Sequence, residues 1–179
     1  QIAGALSWAQ QSERVHEIDS GNWLDPPSSN SRRHEAFAFS VAPWHLVDFL
    51  TPNAAGSLLP ENHRLRLMLP GEGRMWTPSV YMSLFVVLAF LTRFVRRGIE
   101  GIDVWIGIAI ASWFAAMGHF GLVWYVQNLF GTMQGTDSAV GGVYWWLYSF
   151  FPGYDSLRYP AKWLPLTAIS LSIFVAHFV

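Results

Sequence analysis

Charge is absent from two long stretches of this chain, and that absence limits the folds open to it. Val80 to Thr92 contains no charged side chain, and in Val104 to Val126 the only group titrating near neutrality is His119. With Trp76 and Pro78 before it and Phe94-Val95 after Arg93, the first run reaches the ~20 residues that a helix needs to cross roughly 30 Å of hydrocarbon. Ala161 to Val179 is a third such run, with Lys162 at its start and His177 near its end. The expected fold class is therefore all-α: a polytopic helical membrane protein fragment with about three transmembrane helices and a large irregular exoplasmic loop.

The division expected on this reading has six parts. Residues 1–77 form an exoplasmic loop with short helices and room for a hairpin, 78–97 a transmembrane helix and 98–103 a cytoplasmic turn. Residues 104–130 form a second transmembrane helix, 131–160 an exoplasmic aromatic loop, and 161–179 a third, truncated helix. The composition agrees: 52% of residues are hydrophobic and 13% charged, against roughly 25% charged in ordinary soluble domains. Orientation follows the cations of short loops. Arg93, Arg96 and Arg97 place their turn in the cytoplasm, and the loop from Gly131 to Tyr159 carries only Arg158, which places it outside. A net charge of −1 offers no electrostatic case for nucleic acid. With no cysteine, neither disulfides nor a thiolate metal site is available. The chain opens on Gln1 and stops at Val179 inside an apolar run, so the expectation is an internal piece whose partners include the lipid bilayer and the remainder of the same polytopic chain.

Within the first part, Pro26-Pro27 and the Ser and Asn residues around them favour turns. Glu35 to Val41 alternates small or polar residues with large apolar ones, which predicts a short strand. Ala42 to Asn53, bounded by Pro43 and Pro52, predicts a short helix with Leu46, Phe49 and Leu50 on one side and His45 and Asp48 three apart near another. His45 and Asp48, with Glu61, His63 and Arg64, are the loop candidates for substrate contact. A His–Asp pair at that spacing suits a metal or a hydroxyl acceptor, but no third ligand has recognisable spacing, and solvated or locally capped side chains are the plainer reading.

Trp145 to Trp163 concentrates aromatics, prolines and cations between two apolar runs, the composition of a membrane–water boundary. Arg158 and Lys162 are four apart, so a helix entered through Pro160 shows both cations near one face. They suit either a substrate phosphate or ordinary headgroup anchoring, and Asp155 is placed to pair with Arg158. Tyr159 stands between the two cations. Trp145 and Trp146 read as an aromatic belt or as a wall for an isoprenoid tail or sugar ring. His119, between Gly118 and Gly121, reads as a neutral imidazole bonded to a neighbouring helix, or as the floor of a site.

Pro152-Gly153-Tyr154-Asp155-Ser156-Leu157-Arg158-Tyr159-Pro160-Ala161-Lys162 resembles a segment of the bacterial YfhO-like polytopic membrane proteins, which are similar to GT-C class glycosyltransferases. Pro43-Trp44-His45-Leu46-Val47-Asp48-Phe49-Leu50-Thr51-Pro52-Asn53-Ala54-Ala55-Gly56 is similar to their exoplasmic Pro-Trp segment, and Gln10 to Arg14 to their Gln-x-Ser-x-Arg stretch. The resemblance implies a multi-pass protein of the bacterial cytoplasmic (inner) membrane. Its activity would be transfer of a sugar from a polyprenyl-phosphate carrier to a cell-envelope acceptor on the outer face. It also implies that the catalytic acid or base, and any divalent metal, lie upstream of Gln1. The carrier phosphate would then fall to Arg158, Lys162, Tyr159 and Asp155, with His45, Asp48, His119, Trp145 and Trp146 as further contacts. Two alternatives stand beside it: an envelope-lipid transporter or flippase, and a non-catalytic membrane scaffold.

Overall fold

A computed structural model of the protein describes residues 22–29, 31–52, 54, 81, 84–95, 102–154 and 157–177. Six α-helices are described: α1 (Arg32–Ala36), α2 (Leu84–Val95), α3 (Ile102–Ala116), α4 (Leu122–Phe130), α5 (Val143–Phe150) and α6 (Leu164–Ala176). Two 3-10 helices, Pro43–Phe49 and Pro160–Trp163, complete the set, and no strand occurs among the described residues.

The all-helical expectation stands; the polytopic one is corrected. Among the described residues, no helix is long and apolar enough to cross a membrane. The longest described helix, α3, has 15 residues and so rises about 22 Å, short of the roughly 30 Å of a bilayer core. The physical reason lies at Gly118. Its φ of +43° is left-handed, and a Cβ there would lie 2.3 Å from Pro160 Cγ and 2.5 Å from Ser40 Oγ. A residue in that conformation ends a right-handed helix. The run from Val104 to Val126 therefore folds as two helices joined by a corner at Met117–Gly121, where the sequence reading had one span. At the far side of the corner, Gly121 comes so close to the carbonyl of Ala139 that a Cβ would sit 2.3 Å from its oxygen. The third expected span opens as a 3-10 turn at Pro160, and α6 begins with Pro165 in its first turn.

The strand expected at Glu35–Val41 is also corrected. Ser31 caps α1, its hydroxyl accepting from the His34 amide at 3.1 Å. The apolar–small alternation then runs through a turn with Phe39 at φ +60°. The alternation arises because this segment threads between two parts of the core. Ala36 and Phe37 pack with Ala139, Tyr144, Trp145 and Tyr154. Val41 and Ala42 pack with Trp113, Met117, Phe120 and Leu164. The segment is held by backbone bonds from Val41 N to Ala116 O at 2.9 Å and from Tyr159 N to Ala36 O at 3.2 Å. The short helix expected between Pro43 and Pro52 is present as the 3-10 helix Pro43–Phe49.

α3 and α6 form the main helix pair. Small residues allow the approach, and the buried hydroxyls of Ser112 and Thr167 exchange a hydrogen bond of 2.8 Å across it. α2 joins them through Val86 and Ala89 against Leu171 and Phe174. Phe174 is fully buried, a contribution of about 2–3 kcal/mol from area alone.

Candidate functional site

The two cations singled out by sequence meet in one cleft. Tyr144, Tyr154 and Trp163 provide aromatic walls, Leu157 and Leu166 apolar ones, and Arg158, Tyr159 and Lys162 close it; its volume is about 310 Å³. That lies at the lower end of the roughly 300–1,000 Å³ usual for small-molecule sites.

The wall is built by hydrogen bonds that only folding supplies. Tyr144, on α5, points its hydroxyl at the carbonyls of Ala36 (3.2 Å) and Leu157 (3.3 Å). The Trp163 indole donates to the Tyr154 hydroxyl at 2.6 Å. Burial pushes the Tyr144 phenol far up, with smaller contributions from Tyr154 and Tyr148. Burial raises Tyr154 as well, partly offset by the Trp163 bond. Both phenols are thus neutral at physiological pH.

Tyr159 is held at φ +71°, ψ +93°, a region that costs a non-glycine residue about 1–3 kcal/mol and is typically tolerated at sites of function. Its ring lies under the Lys162 ammonium, 5.2 Å from Nζ to centroid. Lys162 is exposed, and among the described residues it meets no carboxylate within salt-bridge distance. Arg158 differs: its guanidinium lies 2.7 Å from Glu35 Oε2, with both side chains partly exposed. Asp155, expected to pair with Arg158, lies outside the described residues, as do Glu61, His63 and Arg64.

The remaining candidates are placed elsewhere. His45 Nδ1 and Asp48 Oδ2 are 2.6 Å apart, and Asp48 Oδ1 accepts from the Ala54 amide at 2.9 Å. Both side chains are buried, and Trp44 stacks on the imidazole at 3.7 Å. Their spacing serves to lock the Pro43–Phe49 turn. Trp145 is buried and stacks on Trp23, with centroids 5.4 Å apart. Trp146 is exposed and stacks on Phe150 at 4.8 Å. Neither lines the cleft, whose walls on this side are Tyr144 and Tyr154.

His119 sits in the α3–α4 corner, not in mid-helix. Its amide donates to Ser40 Oγ at 2.8 Å, and its ring lines an open pocket of about 480 Å³ with Trp124, Gln127, Asn128, Gln134, Gly135 and Ser138. Burial lowers its pKa; the nearby Asp137 charge opposes this and His34 adds to it. The imidazole is therefore neutral at physiological pH.

Three participants were not singled out from the sequence. Glu35, Tyr144 and Trp163 reach the cleft or its cations through contacts between distant segments. A fourth feature is the buried pair of Arg33 and Asp137, 2.5 Å apart. Arg33 Nη2 also donates to the Asp25 carbonyl at 2.6 Å, and Asp137 Oδ1 accepts from the Ala139 amide at 3.1 Å. Among the described residues, no group of three or more His, Asp or Glu side chains is placed to hold a metal. Comparison with family models, curated proteins and solved structures finds no match to this chain.

Proposed function

We propose that this protein acts in glycosyl transfer, its aromatic cleft binding the phosphate and adjoining sugar of a polyprenyl-phosphate carrier whose sugar passes to a cell-envelope acceptor. The observation that carries the reading is that Lys162 and Arg158 both border a mainly apolar cleft walled by Tyr144, Tyr154, Trp163, Leu157 and Leu166. Cations answer a phosphate, the aromatic rings suit the C–H face of a sugar, and the leucines suit the first isoprene units. In such a transfer the acceptor hydroxyl loses its proton as its oxygen bonds to the anomeric carbon. The bond from that carbon to the carrier phosphate oxygen breaks, and the phosphate keeps the electron pair. The Lys162 ammonium would stabilise the charge that develops there. No catalytic base is assigned among the described residues.

The carrier is a lipid, so this reading places the cleft beside a lipid surface. Trp146, Phe150 and Phe151 support that placement: all three are more than half exposed, and they lie between the wall residues Tyr144 and Tyr154 in sequence. Exposed aromatics at a helix end suit the headgroup layer without crossing it.

The test uses the intact chain, a labelled polyprenyl-phosphate sugar and an envelope acceptor fraction. Lys162→Gln should lower kcat/KM about 10- to 100-fold, the value of a charge-assisted contact, with helicity unchanged by circular dichroism. Unchanged transfer in that variant, or no transfer by the native chain, sinks the reading.

A further inference from the structure

The pocket at the α3–α4 corner differs in chemistry from the cleft. Its wall is stapled in place by one residue: the Gln127 amide donates to the carbonyls of Met133 (3.0 Å) and Thr136 (2.9 Å) and accepts from the Ser138 hydroxyl (3.2 Å). The amides of Gly121 and Trp124 both donate to the Ser138 carbonyl, so the 131–138 loop and α4 form one unit. Asp137, close behind this wall, is buried and paired with Arg33. Among the described residues, no Asp, Glu, Lys or Arg lines the pocket.

That composition selects a ligand class. Among the described lining residues an anion would find no Lys or Arg and a cation no carboxylate, while an apolar ligand would leave the His119 ring nitrogens and the Asn128 carbonyl oxygen without hydrogen bonds. What the lining offers is the polar repertoire of imidazole, amide and hydroxyl. The Asn128 amide nitrogen is bonded to the Trp124 carbonyl at 2.9 Å, which orients its carbonyl oxygen as an acceptor. The Trp124 indole is braced at 85° by Phe120 and at 90° by Tyr125. A fixed indole beside acceptors for hydroxyl groups fits a neutral sugar, and the volume of about 480 Å³ lies within the roughly 300–1,000 Å³ of small-molecule sites.

We propose that this pocket is a neutral-saccharide subsite, in which His119 and Asn128 accept hydroxyl hydrogen bonds and Trp124 packs on the sugar's C–H face. Its assignment as the acceptor side of the reaction rests on the transferase reading; its ligand class does not. The frame is shared with the cleft, since Pro160, which follows Tyr159, packs on Gly118, which precedes His119.

The experiment titrates the intact chain with cellobiose, chitobiose and maltose, and with glucose 6-phosphate and glucuronate as charged controls, read by saturation-transfer NMR. At least one neutral disaccharide should bind saturably and more tightly than either charged sugar. Trp124→Ala should weaken it about ten-fold and Asn128→Ala roughly five-fold, the value of one hydrogen bond. Asn128 is exposed, so its variant keeps the test open even where Trp124→Ala fails to fold. Absence of neutral-sugar binding, tighter binding of glucose 6-phosphate or glucuronate, or full binding by Asn128→Ala overturns the subsite. No carrier is present in the titration, so its failure and a failed transfer assay are separate results.

Discussion

The Arg158 guanidinium faces Glu35 Oε2 at 2.7 Å, joining the end of α1 to the segment that enters the Pro160 turn. This contact makes the two cations of the cleft unequal. Arg158 must exchange a carboxylate for a phosphate, whereas Lys162 rests only on the Tyr159 ring among its described contacts.

Glu35→Gln tests that inequality. Both side chains are partly solvated, so the pair contributes about 0.2–1 kcal/mol to stability. The variant should unfold within about 1 kcal/mol of the native chain and bind inorganic phosphate or isoprenyl phosphate several-fold more tightly. Phosphate affinity that stays the same or falls, measured by isothermal titration, would show that Glu35 does not compete for Arg158.

Gly118→Ala should be among the most damaging single changes. The added methyl meets Pro160 and Ser40 at distances that atoms do not tolerate, on a backbone at φ +43°. Overpacking alone costs about 1–3 kcal/mol, and the left-handed backbone adds to it. Urea denaturation should show a midpoint loss equivalent to more than about 2 kcal/mol, with loss of the cleft as well, because Pro160 starts the turn that carries Lys162.

The Arg33–Asp137 pair predicts a non-additive double mutant. Asp137→Leu leaves a buried guanidinium without its counter-charge and should cost about 3–5 kcal/mol. Arg33→Met alone should cost a similar amount, and Arg33→Met with Asp137→Leu should recover much of the loss. Additive losses in the thermodynamic cycle would show that the pair is not coupled.

His119 predicts the acid limb of the stability profile. Burial holds its folded-state pKa below the ordinary 6.5, so the unfolded chain takes up this proton at higher pH than the folded one. The contribution is fully present above about pH 6.5 and is lost as pH falls through the folded pKa. His119→Asn should flatten that part of a melting-temperature profile between pH 7.5 and 5, in a comparison with the native chain. An unchanged slope would mean that other groups set the acid limb.

Much of the local structure was legible in the residues. Pro43 and Pro52 bounded the short helix, and the apolar runs marked α2, α3 and α6. The error over the spans has a specific origin. Hydropathy registers that Met117 to Gly121 is apolar, but not that Gly118 is left-handed, because that conformation follows from Pro160 and Ser40 packing against it. The strand expected at Glu35–Val41 failed for a related reason, since small and large residues alternate there to fit two separate parts of the core.

Helical character, the position of the turns and the cationic end of the cleft were therefore determined by local chemistry: periodicity, proline and charge. The remainder was decided by tertiary structure. The Glu35 partner, the Tyr144 and Trp163 walls, the buried Arg33–Asp137 pair and the corner that holds His119 all join segments distant in the chain. Such contacts form only when the whole core closes, because each polar group among them is stable in place only where burial brings its partner within hydrogen-bonding distance.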